Sequence, residues 1–307
     1  MDNNQLGGQA DFNGITVYDN QKRVTVIRND DGSLFIKVKE QSKKKFDLLT
    51  RILLIRGFIQ FLNTMFTQLN NYKIVESTKT KKQFSLQIIK FYKFIYESSA
   101  IIGFLLIFTL TPALLQFLPW FDNKKLLLLF SEGATRIIIY FILLELISKL
   151  NNIAHLLKYH AAEHMAINSF EKNKNLTVPA IRRSFQKNIR CGSTYFFILA
   201  MIYAIIFIIM YFINVPLTTN IFLRIIALPI CCGLTHEVIN IIDRYKGNIS
   251  KNILSLCMTM QTKTLLQPDD HHLQVAVVAI NIHHSDTTEG YYNLSNFFDI
   301  NNITKLS

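Results

Sequence analysis

CGSTYFFILAMIYAIIFIIMYFINVPLTTNIFL, residues Cys191 to Leu223, contains no Asp, Glu, Lys or Arg. It exceeds the roughly 20 apolar residues that cross the hydrocarbon of a bilayer. Working outward, Ser98 to Phe121 is also free of charge, and Ile225 to Ile242 is interrupted only by His236 and Glu237 near its end. A fourth run, Gly133 to Leu157, carries Arg136, Glu145 and Lys149. Half of the 307 residues are apolar and they are massed in these runs instead of recurring at helix or strand period. That distribution points to a bilayer and away from a soluble core. The fold class read from it is a mainly α membrane protein with four transmembrane helices.

Lys and Arg set the orientation. Sixteen of the 33 basic residues precede the first run, eight lie between Lys149 and Arg190, and five follow Ile242. The link from Trp120 to Glu132 holds only Lys124 and Lys125, and Asn214 to Ile221 holds none. The positive-inside rule then predicts a cytoplasmic amino terminus, central loop and tail, which four spans satisfy and three do not. The net charge of +12 sits beside the spans without interleaved aromatic platforms, so anionic lipid headgroups are the expected partner and nucleic acid is not. Cys191, Cys231, Cys232 and Cys257 show neither disulfide nor zinc-ribbon spacing and suit a reducing or buried setting. The first forty residues are too polar for a cleavable signal peptide.

Five regions are expected. Residues 1–45 form a small cytoplasmic β-hairpin domain, in which Val24, Val26, Ile36 and Val38 flank the turn signal Asn29-Asp30-Asp31-Gly32 in two or three strands. Residues 46–93 form an amphipathic interfacial helix, Phe46 to Leu69 with Arg51 and Arg56, and a basic linker. Residues 94–243 hold the four spans with the cytoplasmic loop 149–190. Residues 244–280 form a cytoplasmic tail packing near the site, with a short helix over Ser250 to Thr264 and a final strand from Leu273 to Ile280. Residues 281–307 are polar and expected to be mobile.

Beyond the second run stands His160-Ala161-Ala162-Glu163-His164, an H-x-x-E-H pattern. On a helix, positions 160 and 164 share one face a turn apart, so both imidazoles can reach one ion, and Glu163 is placed to deprotonate a bound water. The competing reading is a solvated helix start with an ordinary His–Glu surface pair. By the four-span topology Cys191, His236 and Glu237 lie at the same membrane level. A carboxylate at that depth normally has a partner, so Glu237 is expected as a third ligand with Cys191 beside it, the alternatives being neutralisation by Arg244 or snorkelling to the interface. Glu145 either marks a proton or substrate path or pairs with Lys149 at i+4. Cys231 and Cys232 read as small-residue packing next to Gly233. Gln267-Pro268-Asp269-Asp270-His271-His272 reads as a turn or helix cap first and as a ligand source second. His283 and His284 read as incidental, and Gly7-Gly8-Gln9-Ala10 as a bend that lets backbone approach another group.

Taken in order, Gly7-Gly8-Gln9-Ala10, Asp31-Gly32-Ser33, Arg56-Gly57, Tyr159-His160 through Ala162-Glu163-His164, Ile167-Asn168, Arg190-Cys191-Gly192, Leu228-Pro229, Glu237-Val238-Ile239 and Pro268-Asp269-Asp270 form a series. In these the chain, from Gly7 to Ile280, resembles the YqhQ family of bacterial and plastid-related membrane proteins. The resemblance implies a metal-dependent enzyme of unknown substrate in a bacterial plasma membrane or a plastid membrane. The chain departs from that pattern at Asn13, at Asn188-Ile189, and at His271-His272-Leu273-Gln274 where further acidic residues are usual. It keeps His160, Glu163, His164, Cys191 and Glu237.

Two functions compete. One is a hydrolase-like enzyme at the cytoplasmic boundary, in which His160, His164, Glu237 and Cys191 hold a divalent metal, zinc first, and Glu163 is the general base. The other is a non-catalytic membrane scaffold or assembly factor that docks on lipid or on a membrane-protein partner. A transporter is disfavoured, since no inverted repeat is evident.

Overall fold

The computed structural model describes residues 6–19, 21–40, 52, 54–63, 114–121, 123–149, 151–172, 176–213, 220–244, 255–259, 261–263, 265–285, 290–293 and 304–305. The protein is mainly helical, with an antiparallel sheet at its amino terminus. Strands β1 (Gly7–Asp11), β2 (Gly14–Tyr18), β3 (Lys22–Arg28) and β4 (Leu34–Glu40) form a meander. The Asp-Gly step turns β3 into β4 as expected, with Gly32 at a φ of +85° and the Asp31 carboxylate accepting from the Ser33 amide at 2.8 Å. The sheet is larger than the two or three strands expected. Strand β5 (Gly290–Asn293) pairs with β4, and β6 (Thr304–Lys305) pairs with β5, so part of the ending expected to be mobile is sheet edge.

The helices are α1 (54–63), α2 (Lys125–Ser148), α3 (Asn151–Glu171), α4 (Val178–Arg182), α5 (Gly192–Phe212), α6 (Asn220–Arg244), α7 (255–259) and α8 (Asp270–His283). One core lies between sheet and helices, where Ile15, Val17, Val24, Val26, Leu34 and Ile36 meet Ala162, Met165 and Ala166 of α3 and Leu273 to Ile282 of α8. A second joins α2, α5 and α6 through Leu129, Leu199, Tyr203, Phe207, Leu228, Cys231 and Cys232. The two cysteines are fully buried in it, as packing residues would be.

Helix α8 corrects the expected strand from Leu273 to Ile280. A helix buried over most of its circumference shows little amphipathic period, and its β-branched residues imitate a strand. The decisive signal was Pro268-Asp269, since Asp269 caps α8, its side chain accepting from the first turn while its amide donates to Nδ1 of His272 at 3.3 Å.

Among the described residues, two helices are long and apolar enough to cross a membrane: α5 over Gly192–Met210 and α6 over Ile225–Arg244. Four were expected. The first expected span, Ser98 to Phe121, lies outside the described residues as far as 113, and Leu114–Phe117 and Pro119–Phe121 are short 3-10 turns. The run Gly133 to Leu157 is not one helix, because the chain turns at Lys149 and restarts at Asn151, an amide-bearing residue that favours a helix start. At that break Glu145 pairs with Lys149 at 3.8 Å, the pairing alternative for Glu145. Along α5, Met201, Ile205, Ile209 and Phe212 form an outward stripe, each between 43% and 66% exposed, and Ile225, Ile226, Ile230 and Ile241 do the same on α6.

Of the amphipathic segment 46–69, the described part is α1. It lies backbone to backbone on α6, where a Cβ on Gly57 would come within 2.8 Å of the Gly233 Cα and one on Gly233 within 2.2 Å of the Leu54 carbonyl oxygen. Small residues at such crossings let two helices approach closely.

Candidate metal centre

Helix α3 presents His160, Glu163 and His164 along one side, and Cys191 stands just before α5, its carbonyl accepting the helix's first hydrogen bond from the Tyr195 amide at 3.0 Å. Nε2 of His160 is 3.2 Å from the Cys191 sulfur, the two imidazole rings meet edge to face with centroids 4.4 Å apart, and Nε2 of His164 is 3.6 Å from Glu163 Oε2. One donor atom from each of His160, His164 and Cys191 lies within 4.8 Å of the others. His164, Glu163 and Cys191 are buried and His160 is half-buried.

The loop before α5 holds this geometry. Nδ1 of His164 donates to the Gln186 carbonyl at 2.7 Å, because a carbonyl can only accept. The Nε2 lone pair of a neutral His164 therefore faces the site, the tautomer that a metal-ligating histidine uses. Nδ2 of Asn168 donates to the carbonyls of Phe185 and Lys187, at 2.6 and 3.1 Å. Gln261 clamps the next turn, accepting from the Asn188 amide at 3.1 Å and donating to the Asn188 carbonyl at 2.5 Å and to Thr194 Oγ1 at 2.7 Å. Arg190 joins Glu171 at the end of α3, the Leu6 carbonyl before β1 and Asp243 at the end of α6.

Electrostatics divide the two acidic groups. Burial pushes the Glu163 carboxyl up, and the nearby His164 and His160, which pull it down, do not reverse this. Burial also pushes the Cys191 thiol up, but His160 and His164, when their rings are protonated, more than reverse it by charge and hydrogen bonding, and the thiol sits well below its ordinary value. The amino end of a long helix favours a thiolate in the same direction. Ser193 Oγ, 3.0 Å from the sulfur, is a donor for that thiolate.

Strand β1 closes over Glu163. A Cβ on Gly8 would come within 1.9 Å of Glu163 Oε1 and 2.5 Å of Ile167 Cδ1, so any larger residue here must push these side-chain ends aside. Gly8→Ala is expected to cost about 1–3 kcal/mol by overpacking and to displace the carboxylate. Thermal unfolding together with a zinc titration checks both, and a variant matching wild type in each would contradict this packing.

Glu237 does not join the gathering, a correction to its expected ligand role. Nη2 of Arg56 donates to Oε1 and Oε2 of Glu237 at 2.6 and 2.8 Å, and Nε to Oε1 at 3.2 Å. The close crossing of α1 on α6 brings that guanidinium alongside, and a bidentate pair occupies the oxygens that a cation would need. Reading the sequence alone missed the Gln186 carbonyl, Ser193 and Gln261. A backbone carbonyl leaves no trace in side-chain identity. Ser193, two residues after Cys191 at a helix start, had a signal that could have been used.

The donors fit a cation of zinc's class. Two imidazoles and a thiolate are its preferred ligands, three protein ligands leave a fourth position open, and a second-sphere carbonyl fixes one ring.

The family model described as "Protein of unknown function (DUF1385)" matches residues 52–285. A protein of Bacillus subtilis (strain 168) named "Uncharacterized protein YqhQ" is 26% identical over 298 residues, covering 90% of this chain and 91% of that protein. No solved structure matches the chain.

Proposed function

The chain belongs to the DUF1385 family of YqhQ-like proteins, and from that premise we propose that it is a multi-pass membrane protein with a metal-dependent, hydrolase-like centre at the cytoplasmic boundary. The observation that carries this is the convergence of His160, His164 and Cys191 beside the buried Glu163. The outward apolar stripes of α5 and α6 support the membrane half, since a protein surface in water rarely leaves such stripes uncovered. A four-span topology with cytoplasmic termini, in which α2 takes the place of the run Gly133 to Leu157, and anionic headgroups as partners of the basic segments, rest on the distribution of Lys and Arg.

In this reading His160, His164 and Cys191 hold a divalent cation, zinc first. When bound, it supplies Lewis acidity and a water of lowered pKa. The chain's own groups do the rest. His164 keeps its Nε2 lone pair on the site because its ring proton sits on Nδ1, where it is donated to the Gln186 carbonyl. The Glu163 carboxylate, set against that ring, accepts a proton from a water and passes it to a leaving group. Substrates reaching this level are lipids, lipid-linked intermediates or membrane-protein segments.

The test is elemental analysis of the full chain purified in detergent, against His160→Ala plus His164→Ala. Loss of an outer-sphere partner alone weakens metal binding on the order of 10- to 100-fold, so loss of both rings is expected to empty the centre. Metal content equal in the two proteins, or absent from both, would defeat the enzyme reading in favour of a scaffold that docks on lipid or a membrane-protein partner.

A further inference from the structure

A second set of imidazoles gathers where α3 meets the start of α8. One nitrogen from each of His155, His271 and His272 lies within 4.8 Å of the others. His155 and His272 lie nearly parallel with centroids 5.8 Å apart, the His271 and His272 rings are 3.9 Å apart, and Tyr159 packs edge-on against His272 at 4.5 Å. His155 precedes His160 by five positions, about 140° around the helix at 3.6 residues per turn. It therefore faces α8, while His160 faces the start of α5. The two gatherings use opposite sides of α3 and share no residue.

The second observation is independent of this clustering. His272 is wholly buried, and its Nε2 has no hydrogen-bond partner among the described residues. Capping of α8 uses the other nitrogen, Nδ1, which accepts from the Asp269 amide. That cap explains why a histidine is tolerated there and leaves Nε2 unaccounted for. A buried ring nitrogen without a partner carries its full desolvation cost. For Nε2 to bind a cation its proton moves to Nδ1, which gives up the hydrogen bond from the Asp269 amide and turns the Nδ1 proton toward the Asp269 carboxylate, 3.8 Å away.

We propose that His155, His271 and His272 form a second cation site, selective for zinc-class divalent d-block ions, which pins α3 to α8. Three imidazoles suit zinc, copper or nickel and not the oxygen-seeking magnesium or calcium. Lys158 is paired with Asp269 at 2.8 Å, so its charge is largely answered, and Asp270 pairs with Arg182. Arg28, close enough to act on His271, opposes a cation, and binding is weaker here than at the thiolate centre. Three protein ligands also leave a position open toward the exposed His155.

The experiment titrates the full chain in detergent with Zn2+ by calorimetry and with Co2+ by absorbance. Wild type is expected to take up a second, weaker equivalent after the sulfur-to-cobalt band of the first centre has saturated. His155→Ala plus His271→Ala spares the buried His272 and its cap. It should lose that second equivalent, keep the sulfur band and, without metal, melt with wild type. Conversely, His160→Ala plus His164→Ala should lose the band and keep the weaker equivalent, which separates failure of this site from failure of the first. The proposal is overturned if wild type binds only the sulfur-bearing equivalent, or if His155→Ala plus His271→Ala leaves the stoichiometry unchanged.

Discussion

Cys191→Ser is expected to abolish the sulfur-to-cobalt charge-transfer band of the Co2+-loaded protein and to weaken zinc binding by on the order of a hundredfold or more, beyond the loss from an outer-sphere change. A thiolate is the strongest donor of the three, and replacing it by a hydroxyl removes both its charge and its softness. The fold is expected to survive. Cys191 occupies the cap of α5, its carbonyl bonded to the Tyr195 amide, and Ser is among the best capping residues. Circular dichroism and unfolding should therefore match wild type while the spectrum does not. The pH dependence has a definite sign. Protons compete for two imidazoles and a thiolate, so affinity rises with pH and falls on acidification. Ser193→Ala should retain the band, since that hydroxyl only contacts the sulfur. An unchanged cobalt spectrum in Cys191→Ser would remove the thiolate from the centre.

Much of this centre was legible in sequence for a simple reason. His160 and His164 are one turn apart, so helical geometry alone brings them together once α3 forms, whatever the rest of the chain does. Cys191 needed one more step, the assignment of an apolar run to α5, whose start sets its level. Glu237 failed at the next step. Its partner Arg56 lies 181 residues away, and nothing local to either residue announces that α1 crosses α6 there. Level along a bundle can be read from run boundaries, but azimuth around it depends on which helices touch.

The helices show the same division. Runs as uniformly apolar as those of α5 and α6 declare themselves by length, and both emerged as helices able to cross a membrane. Gly133 to Leu157 was misjudged because its apolar content runs across the turn at Lys149, and composition does not record where a helix ends. Helix α8 was misjudged for the opposite reason. Covered by the sheet and α3 over most of its surface, it leaves only Asp270, His271, Gln274 and Asn281 at least partly exposed, a polar side too narrow for the period to show.

Arg136→Met is expected to destabilise the full chain by about 3 to 5 kcal/mol, the cost of breaking a buried ion pair by removing one member. Arg136 and Glu132 stand a turn apart on α2, each side chain 1% exposed, with the guanidinium 3.5 Å from the carboxylate and over the ring of Tyr203 at 4.8 Å. The loss falls on Glu132, whose charge stays buried while one of its interactions, the Arg136 guanidinium, is removed. If the cost is electrostatic, Glu132→Gln in the same chain should recover part of it, because it removes the buried charge and leaves only the smaller cost of a buried amide. If instead it comes from lost packing on Tyr203, the double variant should be no better than the single one, and Glu132→Gln alone should be mild. Denaturant unfolding in detergent of the two single variants and the double decides between these, and a single Arg136→Met variant within about 0.5 kcal/mol of wild type, the range of an ordinary surface change, would show that the pair contributes nothing to holding α2 against α5.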